Sequence, residues 1–168
     1  MSINLSVRSA TPDDAQGIID ILNPIIEDGR FTVLDTPFTV EAERAFIQNF
    51  PKRGIFHVAQ RPSDSKIVGF QSLEPFAEYT HAFDHVAIVG TYVDLTQRRQ
   101  GIASRLFAAT FKAAIKKGYE KIFTYVRGDN PGALKTYLSQ SFQVVGTAEK
   151  QAKINGRYID EIIIEKHL

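Results

Sequence analysis

The sequence predicts a mixed α/β chain of the α+β class, with elements in the order βααβββαβαββ. Three observations predict it. Apolar residues recur at helical spacing across Ile18–Ile26 and again across 102–117. Runs rich in β-branched and aromatic residues recur between and after them, as in Phe56-His57-Val58-Ala59 and 121–126. Turn residues such as Pro62-Ser63-Asp64-Ser65 and Asn155-Gly156 punctuate those runs. With 168 residues, 43% hydrophobic and 23% charged, the chain is expected to be one domain spanning residues 1–168 with a substantial core.

The elements follow in order. Ile3 to Ser9 reads as a short opening strand. Thr11-Pro12-Asp13-Asp14 is a helix start, with Thr11 as N-cap and Pro12 in the first turn. Pro24 lies inside the apolar run that follows and is expected to end or kink that helix. A loop from Phe31 to Pro37 leads to a second helix over 39–49, carrying Val40, Phe46 and Ile47. Two strands around 56–59 and 67–70 precede a turn-rich stretch from Pro75 to Asp84 and a long strand over 85–94. A helix over 102–117 presents Ala103, Leu106, Phe107, Ala113 and Ala114 on one side. After the strand at 121–126, Asn130-Pro131-Gly132 opens a last helix running to about Gln140. Two strands, 142–148 and 157–165, form an antiparallel pair around Asn155-Gly156.

Composition excludes several functions. The chain has no cysteine, so disulfides, cysteine-ligated zinc, iron–sulfur clusters and a thiol nucleophile are ruled out. A net charge of +1 gives no global field to attract nucleic acid or an acidic membrane. Met1 to Thr11 lacks the apolar core of a signal peptide, so a cytoplasmic location is expected. His81 and His85 are four apart, but they fall in a loop stretch without an evident third ligand, and no metal site is expected.

The informative stretch is Tyr92-Val93-Asp94-Leu95-Thr96-Gln97-Arg98-Arg99-Gln100-Gly101-Ile102-Ala103. A strand ends, a polar loop turns, and an apolar helix begins after Gly101. Helix N-termini offer unpartnered N–H groups and the positive end of the helix dipole, which together suit a phosphate. Gly101 and Ala103 are small enough for a pyrophosphate to approach the backbone, and Arg98 and Arg99 add positive charge. The alternative is a basic solvated turn before an ordinary helix. No Gly-Lys-Ser/Thr follows, so this is not a Walker loop.

This loop resembles the acetyl-CoA pyrophosphate site of the GCN5-related N-acetyltransferase (GNAT) family, matching at Arg98, Gly101 and Ala103. Asn130, Ala133, Leu134, Tyr137 and Phe142 match the family's later helix and the aromatic after it. Phe31-Thr32-Val33-Leu34-Asp35-Thr36, with Gly69-Phe70 and Pro75-Phe76, is similar to the phosphinothricin and methionine sulfoximine N-acetyltransferase branch. The resemblance implies a central, mostly antiparallel twisted sheet flanked by helices. It implies transfer of acetyl from acetyl-CoA to the primary amine of an amino acid or analogue, by direct attack in a ternary complex.

Roles carried over by the resemblance are specific. The N–H of Val93 would polarise the thioester carbonyl. Backbone groups around Val93 and Leu95 would hold the pantetheine arm. Arg98, Arg99, Gln100, Gly101, Ile102, Ala103 and Ser104 would receive the pyrophosphate, and Asn130 would contact coenzyme A. Tyr137 would protonate the departing thiolate. Plain alternatives stand beside two of these: Asn130 as an N-cap ahead of Pro131, and Tyr137 as a core aromatic. The branch's glutamate base falls on Ile88, which cannot accept a proton, so Glu74 and His85, with Asp84, His81 or a water relay beside them, are the candidates to replace it. Glu27, Phe31, Thr32, Phe76 and Tyr79 are candidates for the acceptor pocket. Homodimers are frequent in the family. Competing readings are a polyamine, aminoglycoside or protein N-terminal acceptor, and a non-catalytic acetyl-CoA-binding module.

Overall fold

The computed structural model describes residues 4–168. Seven strands form one sheet: β1 (Ser6–Ser9), β2 (Ile55–Arg61), β3 (Lys66–Pro75), β4 (Val86–Val93), β5 (Lys121–Arg127), β6 (Gln143–Ile154) and β7 (Arg157–His167). Four helices accompany them: α1 (Ala15–Asp28), α2 (Val40–Gln48), α3 (Ile102–Lys116) and α4 (Pro131–Ser139). The spatial order is β1-β2-β3-β4-β5-β7-β6. Every pairing is antiparallel except that of β4 with β5. The expected element order and the mixed α/β class are both present. Ile3, placed at the start of the opening strand on sequence, lies outside the described residues. Among those residues, no helix is long and apolar enough to cross a membrane.

Two apolar layers enclose the sheet. On one face α1 presents Ile18, Ile21, Leu22, Ile25 and Ile26 to Phe56, Val58, Ile67 and Phe70 of β2 and β3, with Ile47 of α2 closing the side. On the other, Phe107 and Ala114 of α3 and Tyr137 of α4 pack on Leu73, Val89, Ile122 and Ile164. Each valine, leucine, isoleucine or phenylalanine among them contributes about 1.5–3 kcal/mol by leaving water, before entropic costs.

The structure departs from the sequence expectations at two places. Pro24 neither ends nor interrupts α1, which continues to Asp28 and stops at Gly29 in the left-handed conformation, φ 77°. Pro24 lies on the exposed side, where the carbonyl it leaves unpaired can face water, while Ile21, Leu22, Ile25 and Ile26 around it are buried. The sixth strand runs to Ile154 rather than ending near 148. It passes an irregularity between Ala148 and Ala152 where Lys150 has φ 52°, then turns at Asn155 and Gly156, both with positive φ.

Candidate active site

The middle of the sheet is split. β4 keeps register with β3 along its whole length, but pairs with β5 only from Val86 opposite Lys121 to Ile88 opposite Phe123. Beyond that point a cleft of about 340 Å³ opens, walled by Ile88–Tyr92 on one side and Thr124–Arg127 on the other. The phase of the β3–β4 ladder is set by two bonds, Phe76 N–H to the Val86 carbonyl and Asp94 N–H to the Val68 carbonyl, both 3.0 Å. Even-numbered residues of β4 therefore bond to β3, and the peptide groups of Val89, Thr91 and Val93 turn toward the gap. Thr124 already uses one of them, donating its hydroxyl to the Val89 carbonyl at 2.7 Å. Among the described residues no strand partners Thr91 or Val93 on that side.

The loop at the end of β4 is anchored by Asp94, whose carboxylate accepts from Thr96 N–H at 2.9 Å and pairs with Lys66 at 2.9 Å. Arg99 and Gly101 then take φ 60° and 76°, a conformation that turns peptide N–H groups toward a concave side. Among the described residues no side chain caps α3. Its first internal bond runs from Arg105 N–H to the Gly101 carbonyl at 3.1 Å. The N–H groups of Ile102, Ala103 and Ser104 thus have no carbonyl within the helix. A Cβ added at Gly101 would meet nothing within 4 Å, so the space beside this glycine at the helix start is clear. Gly69 brings them to the cleft: a Cβ there would fall 2.7 Å from Ile102 Cγ2 and 3.1 Å from the Tyr92 carbonyl. Its missing side chain lets the start of α3 sit directly on β3 and β4.

The deep wall is polar. Tyr137 is 7% exposed, and its hydroxyl lies 3.1 Å from Thr91 Oγ1. Burial holds its ionisation well above the usual tyrosine value, opposed in part by that hydrogen bond. At the outer end Arg127, itself buried, has four of its five N–H donors engaged. Its Nε and Nη2 donate to the two Asp129 oxygens, and Nη1 donates to the carbonyls of Gly29 and Thr32, each at 2.8 Å. This clamp fixes Phe31 and Thr32 over the cleft. Two carboxylates also line it, Glu74 from β3 and Glu161 from β7. Burial raises the pKa of both, and Glu78 adds to the shift of Glu74. Among the described residues no group of three or more His, Asp or Glu side chains is placed to hold a metal.

The profile of the acetyltransferase (GNAT) family matches residues 20–142, from within α1 through both cleft walls to Phe142. The chain belongs to the GNAT acetyltransferase family. Within it, similarity runs to members of the phosphinothricin N-acetyltransferase kind. A phosphinothricin N-acetyltransferase of Streptomyces coelicolor is 25% identical over 98% of this chain and 96% of its own. An L-amino acid N-acetyltransferase of Escherichia coli is 30% identical over 58% of this chain and 59% of its own. A phosphinothricin acetyltransferase of Sinorhizobium meliloti, solved in complex with acetyl-CoA, superimposes with a TM-score of 0.89 at 17% identity, covering 100% of this chain and 89% of that one.

For this GNAT chain the structure brings some of the expected residues together and sets others apart. Glu74, Phe31, Thr32, Asn130 and Tyr137 all line the cleft, while the loop from Arg98 to Ser104 stands at the end of the β4 wall. Arg98 lays its guanidinium 3.9 Å over the Phe31 ring, which ties the loop to the opposite rim. Asn130 serves as the N-cap of α4, accepting from Ala133 N–H at 3.1 Å, and donates to the Phe31 carbonyl at 3.3 Å. The Leu95 side chain packs beneath α1, leaving only its backbone for a ligand. His85 is exposed and outside the cleft lining, as is Glu27 on the outer side of α1. Phe76 is edge-on to Phe83 and Phe123 beyond the rim, and Tyr79 is 83% exposed. Sequence reasoning missed Thr91, Arg127 and Glu161. The spacing of Arg127 and Asp129 signals their pairing, whereas nothing local marks Glu161.

Proposed function

We propose that the chain is an acetyl-CoA-dependent N-acetyltransferase acting on the primary amine of a small molecule within a ternary complex, with residues 1–168 working as one domain. The observation that carries this reading is the gap between β4 and β5, with free backbone groups at Thr91 and Val93, the uncapped start of α3 at one end and the Tyr137 hydroxyl inside. An extended pantetheine arm fits the free edge, and a pyrophosphate fits the clear space beside Gly101. Bound there, acetyl-CoA supplies an activated thioester. Val93 N–H is the donor toward the acyl oxygen. Tyr137 holds the proton for the departing sulfur. Glu74, which lines the cleft with its pKa raised by burial, takes the proton of the attacking amine.

For the acceptor, the amino acid or analogue of the phosphinothricin kind is the first reading, supported by the names of the relatives. A second reading has a specific observation behind it. The cleft presents two carboxylates, Glu74 and Glu161, while the arginine that lines it, Arg127, has four of its five N–H donors engaged and its charge paired with Asp129. That balance favours an acceptor with additional positive charge, such as a polyamine, over one whose carboxylate needs a free cation. The reading extends to a cytoplasmic homodimer, for which Val144 and Val145, 51% and 52% exposed on the β6 edge, offer apolar surface.

Calorimetry with acetyl-CoA, followed by thiol release from a panel of amines, tests the reading. Binding with release is expected, and comparison of phosphinothricin and methionine sulfoximine with diamines separates the two acceptor classes. Absence of acetyl-CoA binding would overturn the proposal.

A further inference from the structure

The sheet face covered by α3 carries a polar row through an otherwise apolar layer. His57 on β2, Gln71 on β3 and Thr91 on β4 are cross-strand neighbours in one line, and Tyr137 of α4 meets the end of it. Gln71 is 0% exposed. Its Nε2 donates to Thr91 Oγ1 at 2.8 Å, the same oxygen that lies 3.1 Å from the Tyr137 hydroxyl. Among the described residues, Gln71 Oε1 is the one buried side-chain atom left without a hydrogen-bond partner. Neither ring nitrogen of the neighbouring His57 bonds this oxygen; His57 Nδ1 lies 3.0 Å from Thr110 Oγ1 instead.

A buried amide oxygen without a partner is destabilising, and an apolar side chain of equal length would remove the defect. What Gln71 does provide is one donor fixed on Thr91. A hydroxyl carries one proton and two acceptor sites. With Gln71 donating into one site, the Thr91 proton is kept off β3. While Tyr137 is neutral it donates into the second site. Once the phenol oxygen becomes negative, the Thr91 proton is positioned to turn toward it.

We propose that Gln71 is a positioning residue for proton transfer: its amide orients the Thr91 hydroxyl to donate to the Tyr137 oxygen as that oxygen gives up its proton. The inference rests on the role proposed above for Tyr137. In the step, the Tyr137 O–H bond breaks and an S–H bond forms on the leaving thiolate, with the electron pair staying on the phenolate oxygen. Glu74 has taken one proton from the amine and Tyr137 has given one to sulfur, so exchange with solvent resets both. Gln71 touches neither reactant; it acts through Thr91.

The test uses Gln71→Met, which keeps the length and removes the amide. Its melting temperature is expected to equal or exceed that of the wild type, and its KM for acetyl-CoA to stay unchanged. Its kcat should fall about tenfold, the scale of one hydrogen bond onto a developing charge. In a Tyr137→Phe background the same substitution should leave kcat unmoved. In the ligand-free protein, the Tyr137 ¹³Cζ resonance, assigned by its loss in Tyr137→Phe, should shift in both Gln71→Met and Thr91→Val. Thr91→Ser, which retains the hydroxyl, should keep most of the rate and carries the test if Gln71→Met folds poorly. Equal losses of kcat in the two backgrounds would show a packing effect and overturn the inference, as would an unshifted resonance or a Thr91→Ser variant as slow as Thr91→Val. Full activity in Tyr137→Phe alone would instead remove the parent reading of Tyr137 as proton donor.

Discussion

Glu74 and Ile88 stand directly opposite each other on β3 and β4, and both line the cleft. Opposed residues of an antiparallel pair project to the same side of the sheet, with Cβ atoms roughly 5 Å apart. The carboxylate that the resemblance would place on β4 therefore has a counterpart one strand away, facing the same space. This relationship favours Glu74 over His85 as the base, because the His85 side chain is exposed outside the cleft.

Glu74→Gln should lower kcat/KM by about 100-fold or more, the range for losing a general base. Burial raises the Glu74 pKa, with Glu78 adding to it, so the folded state disfavours the charged form. The stability associated with the protonated group is present below the ordinary carboxylate value and is lost as pH rises through the raised one. Near neutral pH the variant should therefore melt higher than the wild type, and the difference should shrink as pH drops below the ordinary carboxylate range. Thermal melts across pH combined with initial rates check both halves. A variant that is both fully active and no more stable would eliminate Glu74 as base.

Gly101→Ala and Gly101→Glu separate backbone strain from anion binding. At φ 76° any side chain is strained, even though a Cβ there meets no neighbour within 4 Å. Alanine should cost about 1 kcal/mol of stability and weaken coenzyme A binding modestly. Glutamate should add charge repulsion and bulk in the clear space, lowering affinity at least about tenfold beyond alanine. Calorimetry with coenzyme A on the two variants reads the difference.

Arg127→Met should destabilise by about 2–4 kcal/mol, because it leaves the Gly29 and Thr32 carbonyls and Asp129 without their partner. Arg127→Lys should recover little, since an ammonium cannot reproduce the forked contact to Asp129 together with both carbonyls. Urea denaturation gives the stability. Hydrogen exchange at residues 29–33 should speed up in both variants.

His57 supplies a pH dependence of the opposite sign to Glu74. Burial lowers its pKa from the ordinary 6.5. The unfolded chain therefore takes up a proton first as pH falls, and stability is lost below about pH 6.5. His57→Gln should flatten the stability profile between about pH 7 and 5, read by denaturant titration at each pH. An unchanged slope would show that His57 does not contribute to acid sensitivity.

What was legible in the sequence was what is local in the chain. The loop from Arg98 to Ala103 could be placed between a strand and a helix because one stretch supplies the strand end, the turn and the helix start, and the phosphate site proposed there draws on that local arrangement. Asn130 and Tyr137 were singled out by the resemblance to the family's later helix, and both line the cleft. Thr91, the partner of Tyr137, was not, since 46 positions separate them and only the packing of α4 on β4 brings them together. Glu161 was hidden for a similar reason. It reaches the cleft because β7, not β6, lies beside β5, a strand order that no local pattern encodes. Pro24 misled because a proline's effect depends on whether its side of the helix meets water, and the apolar run alone did not weigh that. His85 and Glu74 looked alike as candidates until the end of β3 turned one inward and the loop left the other outside.

The brief pairing of β4 with β5 has a consequence for how the molecule endures. A sheet whose middle is unzipped contains two raw margins where most sheets have a continuous fabric, and its two halves are joined there by only a short seam. Anything that lies along the gap works as a missing thread as well as a reactant, and mass action converts its concentration directly into resistance to unfolding. The halves should therefore breathe most when the cell's supply of that molecule runs low, so that the lifetime of the protein becomes a gauge of the abundance of what it uses.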